Sequence, residues 1–566
     1  MALTRRTVLA GSAAGGLLLA ANPAAARGQT VFAHGVASGD PHADSVLLWT
    51  RVTDPARQPV SGIWEIAEDE RFAHIAAQGT FTTSAARDHT VKVIAEGLTP
   101  GRDYFYRFRA LDAVSVSGRT KTLPVGPVER LDIVLACCAM YMFGEFHAYR
   151  AIADRDAVDI VLFVGDYIYE YGAASMPGVM DQRPIEPPHD TVTLADYRAR
   201  YAQWRRDPAL RDAHARAPWI CMWDDHEIAN DDWMHGAQHH DPAVNGDWEQ
   251  RKAAAVRAYL EWMPIRDPAK ADPYGITRSF AFGDLATLAL PETRLMARQQ
   301  QLSLTGDLDW HLVDRRSGAR RVIVDPAELK GLDPTALPQG VTREPDVEGF
   351  RRKLANPDRE MIGAKQRQWL ADELAGHKQA GRSWFLFGSA TILSSYIYPD
   401  LTRYPGGKAA LAPMYELTRH GLPLLNVDSW DGYAGERDKI YDLFEANGAN
   451  LLVLSGDSHM AWINELHHGE RRIGLELSAS TLTGPSIGEL ILPPGPIGQA
   501  FADDNRDVRW CDPRAVGFIT VSLTAKGVDA DFVRVLTPRK VTGKLDIAKH
   551  ASARIAPAGL SGWHLD

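Results

Sequence analysis

The sequence predicts an α/β protein in which a small all-β region precedes a larger region of alternating strands and helices. Between about residues 29 and 123, short strands of alternating polarity are separated by Asp, Pro and Gly. From Leu131 onward, buried apolar strands alternate with amphipathic helices. The chain of 566 residues is long enough for a large core and more than one domain, and its 45% hydrophobic and 24% charged residues are typical of soluble globular proteins.

The first 26 residues predict an export signal. Arg5-Arg6 precedes a Leu/Ala/Gly-rich stretch at Val8–Ala21, and "NPAAA" offers a small-residue cleavage site after about Ala26. The paired arginines resemble a twin-arginine signal, so we expect the twin-arginine export machinery as a partner and a periplasmic or secreted protein. The alternative is an uncleaved membrane anchor, which the short, Gly/Ala-rich stretch disfavours. No other window approaches a membrane span, so none is expected in the mature chain.

Residues 29–123 are predicted to form a β-sandwich. Runs such as "VLLWTRV" (Val46–Val52) and "YFYRFRAL" (Tyr104–Leu111) are separated by turn residues. The phrase "GLTPGRDYFYRF" (Gly97–Phe108) places a turn before a strand with alternate tyrosines. It resembles the corner of fibronectin type III sandwiches, in which a Tyr hydroxyl bonds back to the backbone. We therefore predict a fibronectin type III-like sandwich, followed by the Pro-containing linker "TLPVGPVER".

Residues 131–540 are predicted to form the second domain, with strands covered on both faces. The predicted strands are "LDIVLACC", "VDIVLFVGD", "APWICMWDD", "LATLALPETR", "SWFLFGSA" and "NLLVLSGDSH". The predicted helices are "FHAYRAIADR", "TLADYRARYAQWRRD", "WEQRKAAAVRAYLEWM", "AKQRQWLADELAGH" and "AGERDKIYDLFEAN". Residues 301–359 are polar, Pro-rich and weakly periodic, which indicates an insertion over one edge. The stretch from Gly517 predicts a β-hairpin, and residues 541–566 a C-terminal tail.

Charge and cysteine content exclude two classes of protein. The net charge is −10, and removal of residues 1–26, which hold two arginines and no acids, leaves 60 basic against 72 acidic residues, or −12. An acidic surface argues against a nucleic-acid platform, so an anionic substrate would have to be attracted by local charge such as metal ions. Four cysteines do not make a disulfide scaffold in a chain of this size. Cys221 and Cys511 are expected to be buried thiols or one disulfide.

Four predicted strands end in side chains of metal-ligand type. The endings are Cys137-Cys138, Gly165-Asp166, "WDDHE" (Trp223–Glu227) with Asn230 just beyond, and "SGDSH" (Ser455–His459). The carboxyl ends of strands form the ligand crevice of an α/β sheet, so we expect these side chains at one edge. Each ending alone could be a helix cap, since Asp and Asn favour that position. Four chemically matched endings together indicate a metal site.

The ordered motifs resemble a variant of the metallophosphoesterase signature GDxxx…GN[HD]…GHxH. They are "GVASGDP" (Gly35–Pro41), "GDYIYEYG", "WDDHEIANDDW", "DSWDGYAGER" (Asp428–Arg437) and "LSGDSHM". With them the chain resembles the alkaline phosphatase D family over essentially the whole of the predicted mature chain. The resemblance implies a metallophosphoesterase-type β-sandwich core flanked by helices.

The resemblance also implies the metals and their ligands. One Fe³⁺ would lie beside one or two Ca²⁺, with Asp166 bridging them. The implied iron ligands are the phenolate of Tyr169, the thiolate of Cys138 and His459; the implied calcium ligands are Asn230, Asp457 and, as a weaker candidate, Asp225. Phenolate and carboxylate suit Fe³⁺, and Ca²⁺ takes only oxygens. The family phrase Ser-Cys-Gln is Cys137-Cys138-Ala139 here, and strand alternation leaves only one of the two thiols for the metal.

Several polar side chains keep two interpretations. His226 would contact phosphate or protonate the leaving group, or it is a structural histidine. Arg294 would hold an oxyanion, or it pairs with Glu292 or another acid. "HGAQHH" (His235–His240) is a second metal site or a polar loop at the pocket mouth. Tyr167 and Tyr171 are expected to be packing residues.

The expected function is the hydrolysis of small phosphate monoesters by an exported metal-dependent phosphoesterase. A metal-activated hydroxide would attack phosphorus in line, with Asp166 and His226 in the catalytic machinery. The alternative is a phosphodiesterase, including phospholipase D-type action, because the choice depends on a pocket width set by residues 301–359. A remote alternative is a non-catalytic iron- or phosphate-binding protein.

Overall fold

A computed structural model describes residues 28, 30–54, 56, 58–175, 178–179, 181–330, 332, 336–422, 427–557 and 559–566. The predicted export signal at residues 1–26 lies outside this part of the chain. Within it, no helix is both long enough and apolar enough to cross a bilayer.

The first eight strands form one small sheet and contribute to a larger one. They are β1 (Val36–Gly39), β2 (Ser45–Arg51), β3 (Val60–Ala67), β4 (Ile75–Thr83), β5 (Thr90–Glu96), β6 (Asp103–Ala110), β7 (Ala113–Val114) and β8 (Gly118–Lys121). β3, β4, β6, β7 and β8 form the small sheet. It shares an apolar core with β1, β2 and β5, which includes Val46, Leu48, Trp64 and Phe108. The hydroxyl of Tyr104 accepts a hydrogen bond from the Thr99 N–H at 2.8 Å, as the corner motif predicted. The likeness to fibronectin type III stays a prediction.

From residue 131 onward, the described part of the chain contains 21 strands and 12 α-helices. The strands are β9 (Leu131–Ala139), β10 (Ile160–Val164), β11 (Trp219–Met222), β12 (Asp232–Trp233), β13 (Gly236–Ala237), β14 (Arg278–Phe282), β15 (Ala286–Leu290), β16 (Trp310–Asp314), β17 (Arg321–Val322), β18 (Val341–Pro345), β19 (Trp384–Thr391), β20 (Leu451–Gly456), β21 (Ala461–His468), β22 (Arg471–Ser478), β23 (Thr481–Thr483), β24 (Val508–Asp512), β25 (Gly517–Thr524), β26 (Gly527–Val535), β27 (Leu545–Ala556), β28 (Gly559–Leu560) and β29 (His564–Leu565). The α-helices are α1 (His147–Ala153), α2 (Leu194–Arg206), α3 (Pro208–Arg216), α4 (Pro242–Asn245), α5 (Trp248–Trp262), α6 (Pro326–Lys330), α7 (Val347–Leu354), α8 (Gly363–Ala380), α9 (Ala412–Thr418), α10 (Ala434–Asn447), α11 (Ile487–Leu490) and α12 (Ile497–Asp504). Short 3₁₀ segments lie at Ala85–Arg87, Tyr141–Phe143, Leu401–Arg403, Ala409–Leu411 and Trp430–Tyr433.

Two sheets pack against each other and carry the site. The large sheet runs in the order β28-β27-β26-β25-β9-β10-β11-β1-β2-β5, with β23 beside β9 and β29 beside β27. The second sheet runs β14-β15-β19-β20-β22-β21-β24. Alternate residues of β19 serve different cores: Leu386 packs in the core shared by the sheets, whereas Phe385 and Phe387 pack against α8 and α10. Successive side chains of β19 point to opposite faces of the sheet. Because both faces are buried, apolar residues are needed on both.

The helices begin and end where the local sequence directs them. The Thr193 hydroxyl and the Asp196 carboxylate each accept a backbone N–H of the other residue, which makes a capping box at the start of α2. α10 ends at Gly448, whose φ of 70° is a left-handed cap. The architecture is α/β, as predicted. Each of the two main sheets is covered on one face by the other sheet.

The large sheet crosses the boundaries predicted for the domains. β1 pairs in parallel with β11 through Gly39 and Trp219, across the boundary predicted near residues 123–131. Residues 541–566, predicted as a tail, contribute β27, β28 and β29, and β27 pairs with β26 from Arg554 to Leu545. Residues 301–359, predicted as an insertion, form a sheet of β16, β17 and β18 with α6 and α7.

Candidate metal centre

The ends of four strands meet at one place, as the sequence predicted, but the strands come from two sheets. β9, β10 and β11 are parallel neighbours in the large sheet, and β20 belongs to the second sheet. Ligand atoms of Cys138, Asp166 and His459 lie within 4.8 Å of one another. The facing of the two sheets therefore brings the β20 ending onto the other three.

The backbone at these strand ends is left-handed. Cys138, Asp166, Asp457 and His459 have φ values of 58°, 59°, 67° and 52°. Each costs a non-glycine residue about 1–3 kcal/mol, and such strain concentrates at functional sites. The left-handed backbone turns the chain at the end of a strand that is buried on both faces, so that one further side chain lies in the crevice.

Tyr169 and His459 complete the first group of ligands. The Tyr169 hydroxyl donates to Asp166 Oδ2 at 3.0 Å and lies 2.9 Å from His459 Nε2. His459 Nδ1 lies 2.7 Å from the carbonyl of Pro485 and donates to it, which leaves Nε2 unprotonated on the side of the cluster. Burial lowers the pKa of His459 to about 4, so the imidazole is neutral. The four side chains predicted for iron are together.

Of the two adjacent cysteines, Cys138 belongs to this group. Cys137 points its Sγ to the carbonyl oxygens of Ala479 and Ser480, at 3.7 and 3.5 Å. Burial, with Cys137 and then Asp166 nearby, raises the pKa of the Cys138 thiol well above its usual value. A thiolate at this position would therefore need a bound cation.

Asp166 is shared by three groups of potential ligands. It lies with Cys138 and His459, with Asp225 and His226, and with Asp224 and Asp457; the fourth group is Asp225, Asp231 and Asp428. Among the described residues, Asp166 Oδ1, Asp224 Oδ2 and Asp225 Oδ1 are buried without a hydrogen-bond partner. Burial first, and neighbouring carboxylates next, raise the pKa of Asp457 well above its usual value. These unsatisfied oxygens fit a cation-binding site in which Asp166 belongs to three of the four groups of potential ligands.

Two buried arginines offset only part of the negative charge. The groups above contain six carboxylates, whereas the guanidinium groups beside them are those of Arg294 and Arg298. Arg294 is wholly buried, bonds Asp224 and lies 2.8 Å from Asp428. The ion-pair interpretation of Arg294 is thus observed, with these acids rather than Glu292, and its oxyanion-binding role stays a prediction. The remaining negative charge favours cations.

Sequence reasoning missed Asp224 and Glu227. Asp224 lies with Asp166 and Asp457, so both aspartates of "WDDHE" reach the centre. The buried carboxylate of Glu227 accepts N–H groups of Asp166 (3.1 Å), Tyr167 (2.5 Å) and Asp224 (2.9 Å). It thereby ties the ends of β10 and β11 together. Two acids in succession followed by a third within three residues, at a strand end, is the signal that could have identified them.

Glu170 links His226 to a second histidine. Its Oε2 lies 2.7 Å from His226 Nδ1 and its Oε1 2.8 Å from His239 Nδ1. Burial disfavours the imidazolium of His226, but the carboxylates around it, Asp225 foremost, raise its pKa well above the usual value. Since His226 Nδ1 is bonded to Glu170, Nε2 is the ring nitrogen that remains for contact with a bound molecule. His239 also contacts Asp190 at 3.2 Å, so the "HGAQHH" loop contributes to this network.

Asn230 and the remaining tyrosines have other contacts. The Asn230 Oδ1 accepts from the Tyr171 hydroxyl at 2.8 Å and its Nδ2 donates to Gln238 at 2.6 Å. Its role as a calcium ligand stays a prediction. The Tyr167 hydroxyl pairs with His214 Nε2 at 2.8 Å within the core, which is the packing role expected for it. Tyr171 lines the cavity instead.

The ligand groups open into a cavity of about 560 Å³. Its polar floor includes Tyr169, His226, Asp457 and His459. Much of the remaining wall is apolar and includes Leu354, Ile392, Tyr396, Ile397, Tyr398, Leu422, Val427, Ile487 and Leu490. α7, from the predicted insertion, supplies Arg351 and Leu354 to this wall. A phosphate held at the floor would thus carry its organic group toward an apolar surface.

Comparison with known proteins gives the same family along nearly the whole chain. The model of the family described as PhoD-like phosphatase matches residues 133–532, and that of its N-terminal domain matches residues 18–124. Alkaline phosphatase D of Bacillus subtilis (strain 168) is 31% identical over 540 residues, which cover 89% of this chain and 80% of the relative.

Solved structures agree with that match. A structure of PhoD superposes with a TM-score of 0.73 at 26% identity and covers 94% of this chain and 92% of that chain. A purple acid phosphatase from yellow lupin (Lupinus luteus) seeds superposes with a TM-score of 0.50 at 11% identity, covering 88% of this chain and 71% of that one. The second likeness is one of fold alone.

Proposed function

The chain belongs to the PhoD-like phosphatase family and is a metal-dependent phosphoesterase, and we propose that it hydrolyses phosphate monoesters in the cavity above the four strand ends. The observation that carries the proposal is the position of Asp166, whose carboxylate is shared by three ligand groups. A carboxylate bridging two cations is the arrangement needed to hold both the attacking and the leaving side of an in-line displacement.

The donor types divide the centre between two metals. Cys138, Tyr169 and His459 offer sulfur, phenolic oxygen and nitrogen, so we assign them, with Asp166, to one Fe³⁺. Asp457, Asp225 and Asn230 offer only oxygens, so we assign them to one or two Ca²⁺ and add Asp224. The metals, when bound, would polarise phosphate oxygens and lower the pKa of water beside them.

His226 is the protein group placed to move a proton. Its Nδ1 is held 2.7 Å from Glu170, and the residue lines the cavity. The imidazolium would donate from Nε2 to the leaving oxygen of the ester. Of the two histidines described at the cavity floor, His226 is the one whose pKa is raised, whereas the pKa of His459 is lowered.

A phosphodiesterase is the second candidate, and the size of the cavity favours it. A volume of about 560 Å³ with an apolar wall can take an organic group on each side of a phosphate. The test is an assay of the purified chain with a chromogenic phosphate monoester and the matching diester. A higher kcat/KM for the monoester supports the proposal, whereas a preference for the diester contradicts it and leaves the family assignment intact. No hydrolysis of either ester would favour the remote alternative, a binding protein.

The metals can be tested by removal. We expect a mild chelator to abolish activity and added Ca²⁺ to restore it without refolding, because a site of carboxylate and amide oxygens exchanges its ion more readily than one with thiolate and imidazole. Metal analysis should find iron retained after this treatment. Activity that survives removal of calcium would contradict the assignment of Asp457, Asp225 and Asn230.

Export remains a proposal that rests on the residues before Arg27. Arg5-Arg6 and the apolar stretch after them favour the twin-arginine route, which carries folded cargo and would let Cys138 bind its metal before it reaches an oxidising compartment. Arg5→Lys with Arg6→Lys should leave active, metal-loaded enzyme in the cytoplasm. Replacing the signal by one for unfolded export should give exported protein of low iron content, and full activity of that protein would contradict the proposal.

A further inference from the structure

A β-hairpin tip beside the catalytic cavity exposes apolar and basic side chains together. The tip comprises residues 536–547, from the residue after β26 to the third residue of β27. Leu536, Val541, Leu545 and Ile547 are 49%, 88%, 42% and 55% exposed. They stand among the exposed Arg539, Lys540 and Lys544. We name these seven side chains the hairpin patch.

The tip is a built element whose side chains are held outward. The Leu536 N–H donates to the Lys544 carbonyl at 2.7 Å, and the Thr537 hydroxyl donates to the Thr542 carbonyl at 3.0 Å. In β27, Leu545 and Ile547 share one face because alternate strand residues point the same way, and a register shift in the pairing with β26 separates Ile547 from Lys549. The four apolar side chains are thus 42–88% exposed on a hydrogen-bonded turn.

The local charge is opposite to that of the whole chain. Residues 536–549 hold four basic residues and one acid, or +3, in a chain of net charge −10. The acid, Asp546, is paired with Arg534 at 2.9 Å. Within the described part of the chain, no ion pair is made by Lys540, Lys544 or Lys549. The surplus charge therefore faces outward.

The hairpin patch lies next to the cavity. β26 and β9 are both antiparallel to β25, so β26 ends at the edge where β9 delivers Cys138. Arg539 pairs at 3.1 Å with Glu489 of α11. The neighbours of Glu489 in that helix, Ile487 and Leu490, line the cavity. A surface that bound the patch would lie close to the cavity.

We propose that the hairpin patch docks the enzyme on an anionic lipid surface. Apolar side chains flanked by basic ones match the boundary between acyl chains and acidic headgroups, where each Lys or Arg adds to binding. A second copy of this chain is a poorer occupant. A stable protein interface buries about 800 Å² on each partner, more than four apolar side chains on a narrow tip provide. The proposal goes beyond hydrolysis, because docking would concentrate the enzyme at esters held on a membrane.

The test is flotation of the full chain with vesicles of phosphatidylglycerol and phosphatidylcholine, and with vesicles of phosphatidylcholine alone. We expect binding to the anionic vesicles, weakened by 0.5 M salt at a Debye length of about 4 Å. Val541→Ser with Ile547→Ser, and separately Lys540→Gln with Lys544→Gln, should each lower the partition coefficient about tenfold or more. Val244→Ser, at a site 79% exposed elsewhere on the surface, should leave it unchanged.

The controls separate docking from folding, self-association and the N-terminal residues. Both pairs of substitutions should keep the activity of the wild-type chain on a soluble chromogenic ester without vesicles. Residues 1–26 include an apolar stretch that can itself bind lipid, so every variant keeps it and is compared on the same vesicles. Equal binding of wild type and variants would overturn the proposal, as would equal binding to both kinds of vesicle. Loss of a dimer in the variants, by size-exclusion chromatography with light scattering, would assign the hairpin patch to a second copy and would also overturn it.

Discussion

At the scale of the residue, Glu170 governs the chemistry available to His226. Its two oxygens accept from different groups: Oε2 faces His226, and Oε1 accepts from His239 and from the Asn230 N–H at 2.8 Å. Burial alone would raise the pKa of Glu170, but the two histidines hold it well below its usual range. A buried carboxylate at Nδ1 both orients an imidazole and stabilises its charged form.

We predict that Glu170→Gln lowers kcat by about tenfold to a hundredfold with little change in KM, because a neutral amide orients His226 but no longer favours its protonated form. The limb of the pH–rate profile that reports the general acid should move to lower pH. Asp190→Asn is the matched control, since Asp190 contacts His239 and is one step further from His226. An effect of Asp190→Asn as large as that of Glu170→Gln would contradict a specific role for Glu170.

The two tyrosines after Asp166 should differ in their spectra. Tyr169 contacts Asp166 and His459, whereas the hydroxyl of Tyr167 pairs with His214 in the core. With Fe³⁺ bound, a phenolate and a thiolate give charge-transfer absorption in the visible, so the isolated enzyme should be coloured. Tyr169→Phe should shift or abolish that band, and Tyr167→Phe should leave it in place. An unchanged band in Tyr169→Phe would remove Tyr169 from the iron.

At the scale of the element, buried glutamates fasten the loops that follow the strands. Glu227 accepts three backbone N–H groups at the ends of β10 and β11. Glu476 in β22 accepts those of Leu393 and Ser394, and Glu292 those of three residues that follow it. A buried loop needs such acceptors because water does not reach its N–H groups. Asp166 and Asp224 are therefore positioned by a carboxylate, that of Glu227, which lies outside the four groups of potential ligands.

We predict that Gly165→Ala destabilises the protein by about 2–4 kcal/mol and disrupts metal binding. Gly165 has a φ of 111°, and a Cβ there would lie 2.4 Å from the Cβ of Asp224, so β10 and the β11 ending would have to separate. Gly376→Ala, in the exposed middle of α8 with open space around it, should instead gain up to about 1 kcal/mol. Denaturant unfolding and metal content measure both. Equal stability of the two variants would contradict the close approach of the strand ends.

Most of the helices and strands that were predicted from the spacing of apolar and polar residues are present in the fold. The helix predicted at residues 434–447 has those bounds, and the strand predicted at 383–390 lies at Trp384–Thr391. Cys138, Asp166 and His459 could be placed at the site because each lies at the end of an apolar strand, whereas the family resemblance was needed to choose Cys138 over Cys137 and to single out Tyr169. Which of these strands belongs to which of the two sheets could not be predicted, because the strands of both sheets have the same apolar sequence pattern. Asp224 was missed because it lies beyond Met222, the last residue of β11, where strand alternation no longer tells which side chain faces the site.

At the scale of the whole molecule, the large sheet joins the two predicted regions into one structure. Besides the pairing of β1 with β11, Asp40 accepts from Arg278 at 2.6–2.7 Å. The Trp49 ring lies 5.8 Å from the Trp262 ring, and the Arg205 guanidinium lies 4.1 Å above the Trp49 ring. The N-terminal strands are thus part of the structure that supports the centre.

We predict that a chain starting at residue 131 does not fold. Loss of β1 and β2 would leave one edge of β11 unpaired and uncover Trp262 and the buried Arg205. Solubility, circular dichroism and phosphatase activity are the measurements, and a chain that starts at residue 28 is the control. A soluble, active fragment from residue 131 would restore the two-domain interpretation of the sequence.

The strands that pair with β9 limit the rate at which this protein can fold. β9 lies between β10, which follows it closely in sequence, and β25, where Leu135 pairs with Ile519. Contacts between residues so far apart in the chain raise the contact order, and folding slows as contact order rises. During synthesis at about 5–20 residues per second, β9 would wait tens of seconds for β25 with one apolar edge uncovered. The nascent chain is therefore a strong candidate client for molecular chaperones, and its yield in a cell should depend on them more than its final stability does.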